Sequence, residues 1–371
     1  MTINKKLITT YLLWFALLLI VGFLSLHLST YESKVCNVKG YPPYFRWDSA
    51  WYMQIARRGY NFSLNKNSSI AFWPLFPGLI WLVHNLHVLP LQFISFSLNV
   101  IFSFLAFIFI FKLAKIDFTD EESFLVATLW LFFPDAYFLI SGYPDALFAF
   151  LLAITLYFAR RKKWFTAGLS SMLLAITKPY GVLIFLVLLL EYLWADNWQL
   201  KNLFKSKKWL PLCLPLVSFS GFVAFNYFKF KNALAFLEAQ KTWGRSLSNP
   251  FTSLWFEFKD NFFLGRGILA GSHAPYLWYL FSFIFFVVAI IISWKMVRKT
   301  YLVFSATVML TALLTGTLTS WGRYMFLAFP VLMGPALFLS KRKYATFVYF
   351  AFSVLLLLLI SSFFVRCFPF E

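Results

Sequence analysis

Asp48 sits in the run Arg46-Trp47-Asp48-Ser49-Ala50-Trp51-Tyr52, a carboxylate among aromatic rings just beyond the first apolar segment of the chain. A carboxylate there can act as a general base. Only 14 of the 371 residues are acidic. Each one near a membrane face is a candidate for chemistry, because charge at that depth is costly unless it is used. Asp145, in Ser141-Gly142-Tyr143-Pro144-Asp145, is a second such carboxylate and Asp135 a third. They suit positioning of an acceptor or support of a metal, although scattered acids do not define a metal site. Three cations complete the set: Lys178 in Thr177-Lys178-Pro179-Tyr180-Gly181, Arg245 in Gln240-Lys241-Thr242-Trp243-Gly244-Arg245, and Arg323 in Trp321-Gly322-Arg323-Tyr324. Cations at outer helix ends fit a fixed anion such as a lipid phosphate, which Arg grips through paired N–H groups and Lys meets as a point charge.

Each of these residues also has an ordinary structural use. Asp48 can cap the short helix predicted over Ser49–Arg58, where Trp47, Trp51 and Ile55 form an apolar stripe and Gly59 makes a stop. Pro144 and Asp145 are normal helix-start residues. The three cations can snorkel to the headgroup level, and Pro74 and Pro77 can simply break the apolar run that begins Ala71-Phe72-Trp73-Pro74-Leu75-Phe76-Pro77. The functional alternative for that run is a rigid wall of a lipid or sugar groove. No Walker loop, dinucleotide fingerprint or metalloprotease helix is present, so no nucleotide sugar or ATP is expected to bind, and no cofactor and no metal ligand are assigned. His27, His84, His87 and His273 form no ligand pair.

The elements that must carry these residues are membrane helices. Hydrophobic residues make up 61% of the chain and charged residues 13%, against roughly 25% charged in a soluble domain. Lys5 and Lys6 precede an apolar core that lacks a small-x-small cleavage site, which predicts a retained first helix. The net charge of +19 does not call for nucleic acid, because the basic residues lie between apolar spans. Eighteen of the 33 Lys and Arg residues fall in six short clusters: Lys5/Lys6, Lys112/Lys115, Arg160–Lys163, Lys201–Lys208, Lys295–Lys299 and Lys341–Lys343. Placing all six inside predicts about eleven spans, over 7–28, 91–114, 123–141, 144–159, 165–178, 180–196, 209–228, 276–294, 300–318, 325–340 and 344–364. The amino terminus is then inside and the carboxyl terminus outside. Ala71–Leu89 fits as an outer-leaflet or re-entrant element. This is a single all-α membrane domain over 1–371, with outer loops of about 29–90 and 229–275. Cys36 and Cys367 fall on the same outer face, which is compatible with a disulfide. Glu257, Asp260 and Arg266 belong to the second loop and are expected to bear on acceptor choice.

The motifs Arg46 to Tyr52, Ala56-Arg57-Arg58-Gly59-Tyr60 and Ala71 to Pro77 resemble the PIG-V mannosyltransferase family, which includes GPI mannosyltransferase II and its prokaryotic relatives. The resemblance extends through Tyr143-Pro144-Asp145, Thr177-Lys178, Gln240 to Arg245 and Arg323-Tyr324, so it covers most of the chain. The Ser141 to Asp145 turn is also similar to the acidic second external loop of oligosaccharyltransferase catalytic subunits. What the resemblance implies is a GT-C fold, a polyprenyl-phosphate-linked sugar donor, usually dolichyl phosphate mannose, and a catalytic carboxylate in the first outer loop, here Asp48. The chain is shorter than typical eukaryotic members and lacks their extra lumenal loops. That favours the plasma membrane of a prokaryote over the endoplasmic reticulum and leaves sugar and acceptor open.

The expected reaction is inverting transfer of one hexose to a glycan or glycolipid acceptor at the outer face. Asp48 acts as base, and Lys178, Arg245 and Arg323 hold the donor phosphate. Arg46, Tyr143, Asp145 and Gln240 contact substrate, with Trp47, Trp51, Tyr52 and Trp243 as stacking faces. The rival from another class is a flippase or transporter of lipid-linked sugars. It would need midplane charges or matched broken helices, and the sequence carries no internal repeat.

Overall fold

The structure is a computed structural model and describes residues 2–27, 41–87, 89–199, 207–262, 274–318 and 320–367, without the side chains at 256, 257, 260–262 and 274–277. Cys36, Lys201, Lys205, Arg266 and His273 lie outside the described residues, as do the side chains of Glu257 and Asp260. The described residues form helices joined by turns and loops, with no strand among them. In order the helices are α1 (Ile3–His27), α2 (Ser49–Arg58), α3 (Leu75–His84), α4 (Leu91–Ala114), α5 (Asp120–Leu131), α6 (Asp145–Arg160), α7 (Trp164–Ala175) and α8 (Ile184–Ala195). There follow α9 (Leu214–Phe230), α10 (Ala235–Lys241), α11 (Pro250–Phe262), α12 (Ala274–Ser293), α13 (Lys299–Leu313), α14 (Trp321–Leu327), α15 (Met333–Ser340) and α16 (Lys343–Val365).

Helix occupies each of the eleven expected segments, several of them in short or broken pieces. By length and composition, α1, α4, Lys207–Phe230 and α16 can each cross a bilayer, and α14 with Phe329–Ser340 makes a fifth, bent by 78°. Pro330 marks that bend, where it enters a one-turn tight helix. Ala71–Leu89 differs from a span: a short tight turn at Ser69–Ala71 precedes the ten-residue α3. Ten residues rise only about 15 Å, half the apolar thickness of a bilayer. Large apolar side chains cover the outside of α12 and α16, with Phe281 65% and Phe347 74% exposed. Such a surface needs lipid rather than water around it. The chain is an integral membrane protein.

Ion pairs tie the basic end of the bundle together. Arg160 at the end of α6 donates both terminal nitrogens to Asp117, at 2.5 and 2.6 Å, and one of them to the Tyr301 hydroxyl at 2.9 Å. Arg298, before α13, donates to Glu191 of α8 at 2.6 and 2.9 Å, and Thr300 donates to the same carboxylate. The start of α5 nearby closes with Thr119 and Glu122 in reciprocal capping bonds. Asp48, Asp145, Lys178, Arg245 and Arg323 gather at the opposite end.

Candidate active site

Helix α2 has the expected bounds, with Gly59 at φ 76° stopping it. Its buried face differs from the expected stripe. Ser49, Tyr52, Met53, Ile55 and Ala56 are buried, whereas Trp47 and Trp51 are half-buried. The reason is local: Trp47 precedes the helix at φ 51°, a left-handed conformation, so it is out of helical register with Trp51.

Asp48 stands at the cap position, yet its carboxylate accepts no capping hydrogen bond. Its backbone N–H instead donates to the Tyr143 hydroxyl at 3.1 Å, and that hydroxyl donates to the Arg46 carbonyl at 3.2 Å. Tyr143 therefore fixes the main chain of the acid and leaves the carboxylate uncapped. Gly142 allows this approach. It lies at φ 75°, and a Cβ there would come within 2.9 Å of Phe45 and 3.1 Å of the Ser49 Cβ. Arg46 points the other way, donating to the carbonyls of Val365 and Phe45, both at 3.0 Å. It braces the first loop against the end of α16.

Asp145 opens α6 with no solvent exposure. Arg323 of α14 grips it through Nε at 2.9 Å and Nη2 at 3.0 Å, and Lys178 Nζ donates to the same carboxylate at 3.1 Å. A buried carboxylate needs such partners. Arg323 also lies over the rings of Tyr143, 4.3 Å from its centre, and Phe138, at 4.9 Å. Its remaining nitrogen, Nη1, faces Asp48 Oδ2 at 3.7 Å. Burial pushes the Asp48 carboxyl above the usual carboxylate range, and the charges of Arg323, Arg245 and Lys178 oppose that rise.

A cavity of about 600 Å³ opens against this cluster. Asp48, Tyr52, Lys178, Gln240, Arg245 and Arg323 line it, so six of the expected site residues converge on one space. Ala71, Phe72 and Trp73 form part of its wall, and Gln240 holds that wall by donating to the Ala71 carbonyl at 3.1 Å. Arg46, Trp47, Trp51, Tyr143, Asp145 and Trp243 are not on its lining. Trp51 instead stacks on Phe72 at 5.6 Å, and Trp243 meets Trp51 edge-on at 5.7 Å. Their faces back the wall. Tyr180, Glu238 and Tyr324 also line the cavity and were not expected as site residues. Tyr180 and Tyr324 follow the expected cations closely in sequence, whereas Glu238 carried no local signal.

Asp135 lies apart, buried behind α14, where the Trp278 indole N–H reaches its two oxygens at 3.2 and 3.3 Å. Among the described residues no three His, Cys, Asp or Glu side chains come together as a metal-binding group. The cavity thus offers an uncapped carboxylate beside cations with free N–H groups, an arrangement that can accept a proton and hold an anion together.

A model of the mannosyltransferase (PIG-V) family matches residues 37–245, more than half of the chain. No curated protein matches the sequence. Among solved structures, the chain is similar to ArnT from Cupriavidus metallidurans bound to undecaprenyl phosphate, with a TM-score of 0.55 and 16% identity over 92% of this chain. It spans 62% of the length of that protein. The Archaeoglobus fulgidus oligosaccharyltransferase AglB, in complex with an inhibitory peptide and a dolichol-phosphate, gives a TM-score of 0.42 and 12% identity over 95% of this chain and 55% of its own. The likeness to ArnT establishes the GT-C fold.

Proposed function

The chain belongs to the PIG-V mannosyltransferase family, and from that premise we propose that it transfers a hexose, mannose, from a polyprenyl-phosphate sugar to an acceptor hydroxyl. One observation carries the reading: the uncapped Asp48 carboxylate shares a single cavity with Lys178, Arg245 and Arg323. The acceptor oxygen bonds to the anomeric carbon as the bond from that carbon to the phosphate oxygen breaks. The acceptor proton goes to Asp48, and the lipid phosphate leaves with the bonding electrons. A single displacement of this kind inverts the anomeric centre. Phosphate leaves readily, so the reaction needs no second carboxylate acting as acid.

The geometry divides the cations. Arg323 spends Nε and Nη2 on Asp145, which leaves Nη1 for Asp48 and the departing charge. Lys178 gives one donor to Asp145 and keeps two. Among the described residues no ion pair or side-chain hydrogen bond engages the Arg245 guanidinium, which leaves its N–H donors for phosphate. These contacts strengthen as charge builds on the leaving group, which is where they accelerate the step. Asp145 then serves as the counter-charge that holds Arg323 and Lys178 in place, and Tyr143 serves to position Asp48. The undecaprenyl phosphate of the ArnT structure supports a lipid phosphate as the donor's carrier. The proposed setting is the outer face of a prokaryotic plasma membrane, with a glycan or glycolipid acceptor.

The test is sugar transfer in membranes containing wild type or Asp48→Asn, supplied with radiolabelled polyprenyl-phosphate mannose. The expected loss in the variant at equal expression is at least ~10²-fold. Equal transfer by both proteins removes Asp48 from the chemistry.

A further inference from the structure

Tyr324 follows Arg323 on α14 but serves a different cation. It lines the cavity, and the Arg245 guanidinium lies 5.5 Å from its ring centre. Arg245 has no carboxylate partner and no side-chain hydrogen bond among the described residues, in contrast to Arg323. Its backbone N–H donates to the Gln240 carbonyl at 3.1 Å, and the residues that follow are anchored too. The Ser246 N–H donates to the Thr315 carbonyl at 3.1 Å and the Ser248 N–H to the Leu314 carbonyl at 3.0 Å. Backbone anchoring still leaves a long side chain free to turn among rotamers. The Tyr324 ring is itself held edge-on by Tyr180 at 5.7 Å, and Tyr180 by Phe148 at 5.0 Å.

We propose that Tyr324 is a positioning residue that seats Arg245 on its ring face and so aims an uncommitted guanidinium into the cavity. A carboxylate in that place would neutralise Arg245 and occupy its N–H fork. A ring face attracts the cation and leaves the in-plane donors free. Two neighbouring residues of α14 thus handle two cations in opposite ways. Arg323 is neutralised internally, and Tyr324 keeps Arg245 available. This inference rests on the reading of Arg245 as a contact to the donor phosphate.

The experiment is titration of the full chain in lipid nanodiscs with polyprenyl phosphate, and in parallel with the polyprenol lacking phosphate. The proteins are wild type, Tyr324→Leu, Tyr324→Phe, Arg245→Ala and the double variant Tyr324→Leu/Arg245→Ala. Tyr324→Leu is expected to weaken polyprenyl phosphate binding about 3- to 30-fold, the range a seated guanidinium is worth on a ring. Tyr324→Phe should regain most of that loss, since it keeps the ring. In the Arg245→Ala background, Tyr324→Leu should add nothing, because its target is gone. Additive losses, or a Tyr324→Leu protein that binds as wild type does, overturn the inference and leave the donor reading standing. A Tyr324→Phe loss as large as that of Tyr324→Leu assigns the hydroxyl as a direct contact and also overturns it. Wild type that binds the phosphate no better than the alcohol removes the donor reading, and the seat with it.

Discussion

Arg323 holds Asp145 through Nε and Nη2 at 2.9 and 3.0 Å and turns Nη1 towards Asp48 at 3.7 Å. One guanidinium therefore joins a saturated carboxylate to an unsaturated one. Lysine keeps the charge but cannot make the planar fork, so it can serve Asp145 or Asp48 but not both. Arg323→Lys is expected to lower transfer about 10- to 100-fold, the value of one or two charged hydrogen bonds. Radiolabelled mannose transfer at matched expression measures it. A rate within twofold of wild type would show that the fork has no part in the chemistry.

The pH profile carries a sign that the geometry dictates. As the proposed base, Asp48 must be ionised to act, and burial lifts its carboxyl above the usual range while Arg323, Arg245 and Lys178 pull it back. Activity should therefore fall as pH drops through a limb lying above the ordinary aspartate value of about 3.9. Arg245→Ala removes one opposing charge and should move that limb further up. A limb that stays in place under Arg245→Ala would dissociate Asp48 from it.

The same shift has a consequence for stability. Asp48 is an acid whose folded pKa is raised, so between its unfolded and folded values the folded state binds more protons than the unfolded one. Stability then declines as pH rises through that window, and above it the ionised carboxylate is a standing cost. Asp48→Asn should raise the unfolding midpoint at neutral pH while lowering transfer at least ~10²-fold. The gain should vanish below the unfolded carboxylate range, where both side chains are neutral. Thermal unfolding at two pH values decides the matter, and a midpoint lowered at neutral pH would contradict it.

Local signals were legible in the sequence, and long-range partnerships were not. The bounds of α2 follow from Asp48 at the cap position and from Gly59, which holds φ 76°. The aromatic spacing misled, because Trp47 at φ 51° sits before the helix, and a periodicity argument assumes that every residue obeys one repeat. Trp51 and Trp243 carried the right residue types for stacking, but Phe72 and their own edges use those faces. Asp145 stood out as an outer acid. Its partner Arg323 lies 178 residues further on, and no local pattern announces that pairing. The same distance concealed which cations were already committed and which remained for a ligand.

Gly322 shows how tightly α14 is set. A Cβ there would come 2.5 Å from Asp135 Oδ2 and 2.8 Å from the Trp278 indole nitrogen. Gly322→Ala must shift either α14 or the Asp135 and Trp278 side chains packed on it, and Arg323 is the next residue. Overpacking of this kind costs about 1–3 kcal/mol. The expected result is a lowered unfolding midpoint together with a drop in transfer by the protein that remains folded. A normal rate per folded molecule would mean that Asp135 and Trp278 yield while Arg323 stays.

Glu191 separates stability from chemistry. It accepts two bonds from Arg298, at 2.6 and 2.9 Å, and one from Thr300, all at the basic end of the bundle away from the cavity. Arg298 also lies 4.5 Å from the centre of the Trp194 ring. Glu191→Gln leaves that guanidinium without its counter-charge. Breaking a fully buried pair costs about 3–5 kcal/mol. The loss here should be smaller, because the Arg298 side chain keeps 21% of its exposure and some access to solvent. The unfolding midpoint should therefore fall, while transfer per folded molecule and the position of the acid limb stay at their wild-type values. Measuring both on the same preparation gives the control that variants of Asp48 and Arg323 require. A reduced rate in folded Glu191→Gln protein would mean that the two ends of the bundle are mechanically coupled, and the assignment of rate effects to the cavity would then need that coupling subtracted.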